Sequence, residues 1–358
     1  MARNGIHIAH INLARGFRGG ERQTQLLVEG LASRGWHQKL VVRKDESLAK
    51  RCANIDGVEL QTVPGNVISA ASALNDVGLV HVHEGRAIQA GYLNQKLRGI
   101  PYIVTRRVQN GPRHDPLTKA MYRRAALVVA LSKAISASIV ALDGRLTCDV
   151  VPDCSSRLET NVENVRLLRK QFGEGFVVGH IGELDDSHKG QLQILSIAKR
   201  LAGKIPDLIF VMVGSGKDGK MLEQEASDLP NVIFSGQVDN VGDYLAAFDA
   251  FLYPSRHEGF GSILLDALTF GLPIVASAVG GIPELLDDGK NGFLCELDNP
   301  DTLSEAVLNL YRNPDLRDRI SRANVKKAAA YSQDQMTGRY VAIYERLVKD
   351  RVSEGIAI

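Results

Sequence analysis

The chain lacks three features that would assign it to a specialised class of protein. Its 358 residues include only 4 cysteines, and no two of them form a Cys-x-x-Cys pair. No apolar run reaches the roughly 18 residues that a membrane-spanning helix needs. The segment Met1–His10 is too short, and too soon interrupted by an arginine, to be a signal peptide. These absences favour a reduced, cytoplasmic protein without a structural zinc site.

Aromatic residues are also scarce, at 6%, and no stacking platform for nucleic acid is present. Charge, by contrast, is unevenly distributed along the chain. Residues 1–157 contain 22 Lys and Arg against 12 Asp and Glu, whereas the remainder contains 21 against 29. This asymmetry indicates two units that face different partners, the basic one suited to a phosphorylated acceptor or an anionic membrane surface. A basic surface that is merely solvated is the alternative.

Short β-branched runs alternate with helix-period segments throughout, which predicts parallel sheets covered by helices. The strands expected in the first half are Ile6–Ile11, Lys39–Val42, Leu79–Val82, Tyr102–Thr105, Leu127–Ala130 and Asp149–Val151. Those expected in the second half are Phe176–Ile181, Leu208–Val213, Val232–Phe234, Ala250–Tyr253, Pro273–Ala276 and Gly292–Leu294. We therefore expect an α/β protein with two Rossmann-like, doubly wound parallel-sheet domains and ligand sites in a cleft between them.

The expected boundaries follow from a break in this pattern. Val151-Pro152-Asp153-Cys154-Ser155-Ser156 combines proline with small polar residues, which is typical of a linker. Residues 1–154 are predicted to form one domain and residues 155–333 the second. The final segment, 334–358, begins with apolar residues at helical spacing and is predicted to be a helix.

Three glycine turns between strands and helices are candidate phosphate sites, because a helix N-terminus presents unpaired N–H groups. The first, Arg15–Gly20, ends in Gly19-Gly20 and allows close backbone approach to a diphosphate. The second, Gly214–Gly219, matches Gly-x-Gly-x-x-Gly and supports an alternative function, that of an NAD-dependent oxidoreductase. It follows the second strand of its domain rather than the first, which disfavours a dinucleotide site.

The third turn carries the most chemistry. Glu258-Gly259-Phe260-Gly261-Ser262 follows a predicted strand and opens a helix, and Asp266 lies two helical turns beyond Glu258. At this spacing both carboxylates can face one cleft. Helix-start amides would hold phosphate, while the carboxylates would bind sugar and ribose hydroxyls.

Together these segments resemble the family 4 glycosyltransferases, which have the GT-B architecture and retain anomeric configuration. The likeness covers nearly the whole chain, and the order and spacing of its parts are specific. The segments that carry it are Gly19-Gly20, His81-Val82-His83, Gly179–Gly182, Lys189-Gly190, Val213–Gly216, Tyr253–Ser255, Glu258–Gly261, Gly271–Ser277, Gly280–Glu284 and Asn291–Leu294.

The resemblance implies a role for each matching residue. Glu258 would bind donor-sugar hydroxyls, Lys189 would pair with the departing diphosphate, and His83 would lie near the reacting sugar. These three are the candidate catalytic residues, His83 being a positioning residue first, with a merely structural histidine as its alternative. The remaining donor-binding candidates are Gly19, Gly20, Gly214, Val238, Phe260, Gly261, Ser262 and Asp266. The C-terminal helix would cross back onto the N-terminal domain.

Two positions depart from the family pattern. The second glutamate of the family motif is Asp266 here, which is one methylene shorter. The position just after the strand glycine, where many members have an arginine, is Glu183. Phosphate neutralisation would then rest more on Lys189 and backbone amides, unless Arg15 or Arg18 substitutes for the missing arginine. Both changes bear on donor affinity more than on the class of reaction.

The expected reaction moves a sugar from a nucleoside diphosphate sugar to a hydroxyl of a glycan or glycolipid, without metal or cofactor. The acceptor-binding candidates are Arg106, Arg107 and Arg113, because a cluster of arginines binds phosphates or carboxylates. A phosphorylated lipopolysaccharide core or a related surface glycan fits them. So does peripheral docking at the inner face of the cytoplasmic membrane.

Two further functions remain compatible with the same motifs. A GT-B sugar-nucleotide epimerase would bind the same donor and need no acceptor. A non-catalytic protein that binds sugar nucleotides would keep the phosphate turns, but the presence of both Glu258 and Lys189 disfavours it.

Overall fold

The structure, a computed structural model, describes residues 7–353. It consists of two compact units: unit 1 comprises Met1–Ser156 and Tyr331–Ile358, and unit 2 comprises Arg157–Ala330. The boundaries predicted from the sequence are residues 154 and 333. The start of the expected strand Ile6–Ile11 and the end of segment 334–358 lie outside the described residues.

Unit 1 contains a seven-stranded parallel sheet in the order β3-β2-β1-β4-β5-β6-β7. Burial on both faces explains why most of its strands are continuous apolar runs rather than alternating ones. The strands are β1 (Ile8–Asn12), β2 (Gln38–Arg43), β3 (Val58–Val63), β4 (Leu79–Val82), β5 (Tyr102–Arg106), β6 (Leu127–Ala130) and β7 (Cys148–Val150).

Several helices of unit 1 begin where a side chain accepts hydrogen bonds from their first N–H groups. Glu84, Asp115 and Ser132 are such N-caps, and Pro116 follows one of them at a position that favours helix entry. The helices are α1 (Gly19–Ala32), α2 (Ser47–Cys52), α3 (Val67–Ser72), α4 (Gly85–Arg98), α5 (Pro116–Arg124) and α6 (Lys133–Leu142).

Unit 2 repeats the same plan with a six-stranded sheet in the order β10-β9-β8-β11-β12-β13. All pairings within it are parallel. Its strands are β8 (Phe176–Ile181), β9 (Leu208–Val213), β10 (Val232–Gly236), β11 (Ala250–Tyr253), β12 (Ile274–Ser277) and β13 (Gly292–Cys295). The predicted fold class is confirmed for both units.

Helices alternate with these strands and then continue to the end of the chain. They are α7 (Val162–Phe172), α8 (Asp186–Lys189), α9 (Gln191–Ala202), α10 (Gly219–Glu225), α11 (Val241–Ala247), α12 (Ser262–Thr269), α13 (Ile282–Leu285), α14 (Pro300–Arg312), α15 (Pro314–Ala328), a 3₁₀ turn (Ala329–Tyr331) and α16 (Gln333–Ser353). Within the described part of the chain, no helix combines the length and the apolarity needed to cross a membrane.

The last helix, α16, completes the core of unit 1. Met336, Tyr340 and Tyr344 are buried in one cluster with Leu26 and Leu31 of α1. Met336, Tyr340 and Tyr344 lie on one face of α16 because they are spaced four residues apart. Unit 1 is therefore built from both ends of the chain.

Candidate active site

Both sheets reverse their strand order at one point, and ligands in open parallel sheets bind beyond the carboxyl ends of the strands at such a point. In unit 2 the reversal lies between β8 and β11, which pair through Ala250 and Val178. Lys189 lies beyond the end of β8, and Glu258 lies beyond the end of β11. The topology alone therefore brings the two principal candidate residues to one place.

Three side chains meet there in a closed triangle. Lys189 Nζ lies 2.7 Å from Glu258 Oε2 and 2.7 Å from the hydroxyl of Tyr253. The Tyr253 hydroxyl in turn donates to Glu258 Oε2 at 2.6 Å. All three are largely buried, so each interaction is stronger than it would be in water. We refer to this group as the Lys189–Tyr253–Glu258 triangle.

Burial opposes the charge on Lys189, but Tyr253 and Glu258 outweigh it and hold the pKa of the ammonium above its ordinary value. Burial, followed by the charge of Glu258, raises the pKa of the Tyr253 phenol. The lysine is consequently a permanent cation and the tyrosine a permanent hydrogen-bond donor near neutral pH. The triangle offers one positive charge, one negative charge and a neutral hydroxyl to a ligand.

Backbone contacts fix the two turns that carry the triangle. Gly190, after Lys189, has φ of 69°, and a Cβ there would lie 2.2 Å from the carbonyl oxygen of Pro254. Only glycine fits this close approach. On the other side, the Arg256 amide donates to the carbonyl of His188 at 2.8 Å. Lys189 and Glu258 are thus held by joined backbone segments rather than by their own contact alone.

The turn after Glu258 forms the N-terminus of α12. Gly261, the N-cap of the helix, adopts a left-handed φ of 83° and, as a glycine, has no side chain with which to cap it. The backbone of Phe260, Gly261 and Ser262 lies at this helix start, where the helix dipole favours an anion. Asp266 lies two turns into α12 and is buried, with 4% of its surface exposed.

The Gly214–Gly219 motif has a packing role that accounts for its first two glycines. A Cβ at Gly214 would lie 1.9 Å from the carbonyl oxygen of Gly182, and one at Gly216 would lie 2.4 Å from that of Leu184. The turn after β9 is therefore pressed against the turn after β8, and the Leu184 amide donates to the carbonyl of Ser215 at 3.0 Å. Val238, in the turn after β10, is half-buried.

Glu183 is exposed in the turn after β8. Arg256 follows β11 in the same unit. It pairs with Asp186 at 3.0 Å and with Asp298 at 2.6 Å. Arg256 is not among the candidates that the sequence suggests. Because both of its partners are carboxylates, it contributes less free positive charge than Lys189 does.

In unit 1 the strand order reverses between β1 and β4. Gly19 and Gly20 open α1, whose first turn is preceded by Arg18. The stem of Arg107, beyond β5, packs 3.7 Å from the position of a Cβ on Gly20. Arg107 is nine-tenths buried and pairs with the buried Asp153 at 3.5 Å. This arginine therefore belongs to the interior of the unit.

His83 lies at the same reversal but has protein partners on both ring nitrogens. Its Nε2 is 3.0 Å from Nδ1 of His10, and its Nδ1 is 3.4 Å from Nη1 of Arg107. Only 3% of the residue is exposed. The catalytic role suggested for it thus remains a prediction, and the contacts favour the positioning role.

His10, His81 and His83 share one face of the sheet because His10 and His81 are register partners and His83 is two residues further on. Their nitrogen atoms lie within 4.8 Å of one another, near enough to hold a metal ion. However, both nitrogens of His81 already contact Tyr344 and Thr105, each at 2.7 Å. A guanidinium next to His83 also disfavours a second cation.

Arg106 and Arg113 line a cavity of about 630 Å³ in unit 1. The starts of α4 and α5 form its walls, with Glu84 and Asp115 engaged as their N-caps. Arg106 donates to the Tyr122 hydroxyl at 3.1 Å. The three candidate acceptor arginines are therefore separated by the structure: two line the cavity and Arg107 does not.

Sequence reasoning missed four residues of these sites: Tyr253, Arg256, His10 and Asp153. Tyr253 stands in a segment of the family resemblance, yet nothing in the sequence shows that its hydroxyl bridges Lys189 and Glu258. His10 lies within an apolar strand, where a lone histidine carries little signal. Asp153 lies in the segment interpreted as a linker, although it is buried.

Comparisons with known proteins cover both units. The model of the family described as "Glycosyl transferase 4-like domain" matches residues 18–153, and that described as "Glycosyl transferases group 1" matches residues 168–327. A Bacillus anthracis relative, N-acetyl-alpha-D-glucosaminyl L-malate synthase, is 30% identical over 148 residues, or 40% of this chain and 39% of that protein.

A Mycolicibacterium smegmatis relative, phosphatidyl-myo-inositol mannosyltransferase, is 28% identical over 176 residues, which cover 48% of this chain and 45% of that protein. The chain spans less than half the length of either curated relative. The crystal structure of HepE from Anabaena, in complex with UDP and glucose, matches with a TM-score of 0.83 at 21% identity. That match covers 95% of this chain and 99% of HepE.

Two Rossmann-like units, with a fold match along almost the whole chain, define a protein of the GT-B fold. With a family model matched in each unit, the identification becomes more specific. The chain belongs to the family 4 glycosyltransferases.

Proposed function

We propose that the protein is a retaining glycosyltransferase that uses a nucleoside diphosphate sugar and transfers the sugar to an anionic glycan or glycolipid. The observation that carries the proposal is the Lys189–Tyr253–Glu258 triangle at the strand-order reversal of unit 2. It combines a permanent cation for a diphosphate with a carboxylate for sugar hydroxyls. The start of α12, whose N-cap is Gly261, supports it with backbone N–H groups.

The chemical demands of the reaction fit these groups. Breaking the bond between sugar and diphosphate places negative charge on the departing phosphate oxygens. Lys189 and the N-terminus of α12 stabilise that charge as it develops, and Glu258 orients the sugar. Retention follows if the acceptor hydroxyl attacks from the face that the diphosphate leaves, with a phosphate oxygen taking its proton.

Lys189 must release Glu258 in part when a donor binds, since the two side chains share a hydrogen bond. A diphosphate would replace the carboxylate as the partner of the ammonium, and sugar hydroxyls would replace the ammonium as partners of the carboxylate. This exchange leaves neither buried charge unpaired, which would otherwise cost several kcal/mol (on the order of 3–5). The triangle is thus a paired resting form of the site.

The first test is donor turnover. UDP-glucose is the first donor to try, because HepE is a fold neighbour that was crystallised with it. Wild-type protein should hydrolyse or transfer the sugar, and Glu258→Gln should lower the rate by about 10²–10³-fold. The anomeric configuration of the transferred sugar, read by proton NMR, should match that of the donor.

The same assay separates the competing functions. An epimerase would change the sugar of the donor without any acceptor, and a binding protein would bind UDP-glucose without turning it over. Turnover that EDTA abolishes and magnesium restores would contradict the expected independence of metal. Wild-type inactivity with every nucleoside diphosphate hexose would remove the support for the proposed reaction.

For the acceptor, we propose an anionic group bound in the cavity of Arg106 and Arg113. The cavity combines these cations with apolar surface from Ile88 and Met121. Leu117, also in its lining, is exposed. The two relatives bear names that include L-malate and phosphatidyl-myo-inositol, a dicarboxylate and an anionic phospholipid. A phosphorylated surface glycolipid, such as a lipopolysaccharide core, suits this cavity and would draw the enzyme to the cytoplasmic membrane face.

A paired substitution tests the acceptor site. Arg106→Ala with Arg113→Ala should raise the KM for a phosphorylated acceptor by roughly 10-fold or more, the loss of about 1.4 kcal/mol of binding, and leave donor hydrolysis unchanged. Arg145→Ala is the matched control, because Arg145 is exposed in the same unit, lies outside the cavity lining and pairs with Asp143. Equal losses of donor hydrolysis and acceptor use would contradict the assignment.

A further inference from the structure

The buried polar groups beneath Arg107 form a chain of hydrogen bonds with a defined direction. A guanidinium has only N–H donors, so Arg107 Nη1 must donate to Nδ1 of His83. That nitrogen therefore bears a lone pair, and the proton of a neutral His83 lies on Nε2. His83 Nε2 then donates to Nδ1 of His10 at 3.0 Å.

The chain continues one step further into the unit. With Nδ1 of His10 accepting, the proton of His10 lies on Nε2. That nitrogen and Gln38 Oε1 are both buried, and neither makes a hydrogen bond of full geometry among the described residues. Gln38 nevertheless acts on His10 as an acceptor and raises the pKa of its ring, against the larger effect of burial. The amide nitrogen of Gln38 is already committed to the carbonyl of Val28 at 3.0 Å, so its oxygen is the atom left to accept from His10.

We propose that His10 and Gln38 hold His83 in its Nε2–H tautomer, and that His83 and Asp153 thereby position Arg107 beside Gly20. In the opposite tautomer an N–H of His83 would point at an N–H of Arg107 and displace it. The carbonyl of His83 adds a second acceptor for Arg107 Nη1 at 3.2 Å, and Asp153 lies 3.5 Å from Nε. His10, Gln38 and His83 are positioning residues.

The charges around the chain agree with neutral rings. Burial, and then the neighbouring histidines and Arg107, hold the pKa of His83 well below its ordinary value. Burial also lowers the pKa of His10 to about 3. A metal ion would need lone pairs from all three histidines, whereas this chain uses His83 as a donor to His10 and His10 as a donor to Gln38.

The use of the Arg107 and Gly20 contact in binding a donor rests on the proposed function, but the tautomer can be measured without substrate. Nitrogen NMR of histidine-labelled full-length protein distinguishes Nδ1–H from Nε2–H forms. We expect neutral His83 with its proton on Nε2, which His10→Asn should preserve through its carboxamide oxygen. His10→Phe lacks an acceptor and leaves only the 3.4 Å contact with Arg107 to fix the ring, so the share of the Nδ1–H form should rise.

His180 of unit 2 is the internal control. Its Nδ1 donates to the carbonyl of Leu252 at 3.0 Å, so its signal should remain in the Nδ1–H form in every variant. If His10→Phe does not fold, Gln38→Met replaces it. This variant removes the acceptor for His10 Nε2–H, so His10 should populate both tautomers.

Three results would overturn the proposal: wild-type His83 protonated on Nδ1, an unchanged tautomer in His10→Phe, or joint shifts of all three histidines with one equivalent of Zn²⁺. An inactive enzyme with the expected tautomers would instead count against the proposed function.

Discussion

Lys189 is the residue whose surroundings bear most directly on chemistry. Its ammonium contacts both the buried phenol of Tyr253 and the largely buried carboxylate of Glu258. Lys189→Met keeps the length of the stem and removes the charge at the point where the departing diphosphate develops its own. We expect kcat to fall by about 10²–10³-fold, as measured by release of nucleoside diphosphate.

Lys199→Met is the matched control, since Lys199 is exposed on the helix that follows. It should leave the rate within a factor of about two (about 0.4 kcal/mol in barrier). Comparable losses in the two variants would show that the effect comes from general charge rather than from the triangle.

For single residues, the sequence predicts the site best where a glycine is required by the backbone. Gly190, Gly214 and Gly261 stand in motifs, and the structure gives each a close contact or a left-handed backbone. The partner of a charge is much less predictable. Tyr253 contacts Lys189 across 64 residues of chain, and no local pattern encodes a contact at that separation.

At the scale of elements, the contact between α1 and α16 gives a testable clash. A Cβ on Gly30 would lie 2.2 Å from Oγ1 of Thr337 and 3.2 Å from its Cβ. Alanine normally stabilises a helix interior relative to glycine by up to about 1 kcal/mol. Here we expect Gly30→Ala to destabilise the protein by about 1–3 kcal/mol, because the two helices must separate, with the loss measured by urea unfolding.

Gly338→Ala is the control, since its Cβ would meet only the flexible end of Arg34 at 3.5 Å. It should leave stability unchanged or raise it. Thr337→Ala combined with Gly30→Ala should recover part of the loss. A Gly30→Ala protein as stable as wild type would show that α16 does not pack on α1 in this way.

Most elements follow from periodicity, but β3 is absent from the predicted strands. Its sequence, Val58-Glu59-Leu60-Gln61-Thr62-Val63, alternates apolar and polar residues as a half-exposed edge strand does. Buried parallel strands are recognised by continuous apolar runs, and β3 has none. The strand adds a seventh member to the sheet of unit 1 and leaves the strand-order reversal, and hence the site, unaffected.

Across the whole molecule, buried histidines couple stability to pH. Burial lowers the pKa of His10 to about 3 and that of His180 to about 4, and it lowers those of His81 and His83 as well. The unfolded chain takes up these protons near pH 6.5, whereas the folded protein does not. Stability is therefore complete above that pH and falls as the pH drops toward 5, by at most about 1.4 kcal/mol per unit for each histidine.

Urea unfolding at pH 7, 6 and 5 measures this slope. His180→Asn retains an N–H for the carbonyl of Leu252 and removes one titrating group. Its slope between pH 6 and 5 should be smaller than that of wild type by about one proton. Identical slopes would mean that His180 takes up a proton in the folded protein.

The fold of the whole molecule is readable from sequence because alternating strands and helices leave few arrangements open. Periodicity does not show that unit 1 includes residues from 331 onward. The crossing of the C-terminal helix onto the first domain is expected only from the family resemblance. Charge asymmetry points to a basic first half, yet it does not distinguish Arg107, held by Asp153, from Arg106 and Arg113 in the cavity.

A crystal structure of the protein with UDP and a non-hydrolysable UDP-sugar tests the central proposal most directly. The diphosphate should lie within hydrogen-bonding distance of Lys189 Nζ and of backbone amides at Phe260–Ser262, with the sugar hydroxyls on Glu258. The Lys189–Glu258 contact should lengthen as each group takes its new partner. A nucleotide bound instead along Gly214–Gly219, with the Lys189–Tyr253–Glu258 triangle intact, would contradict the account.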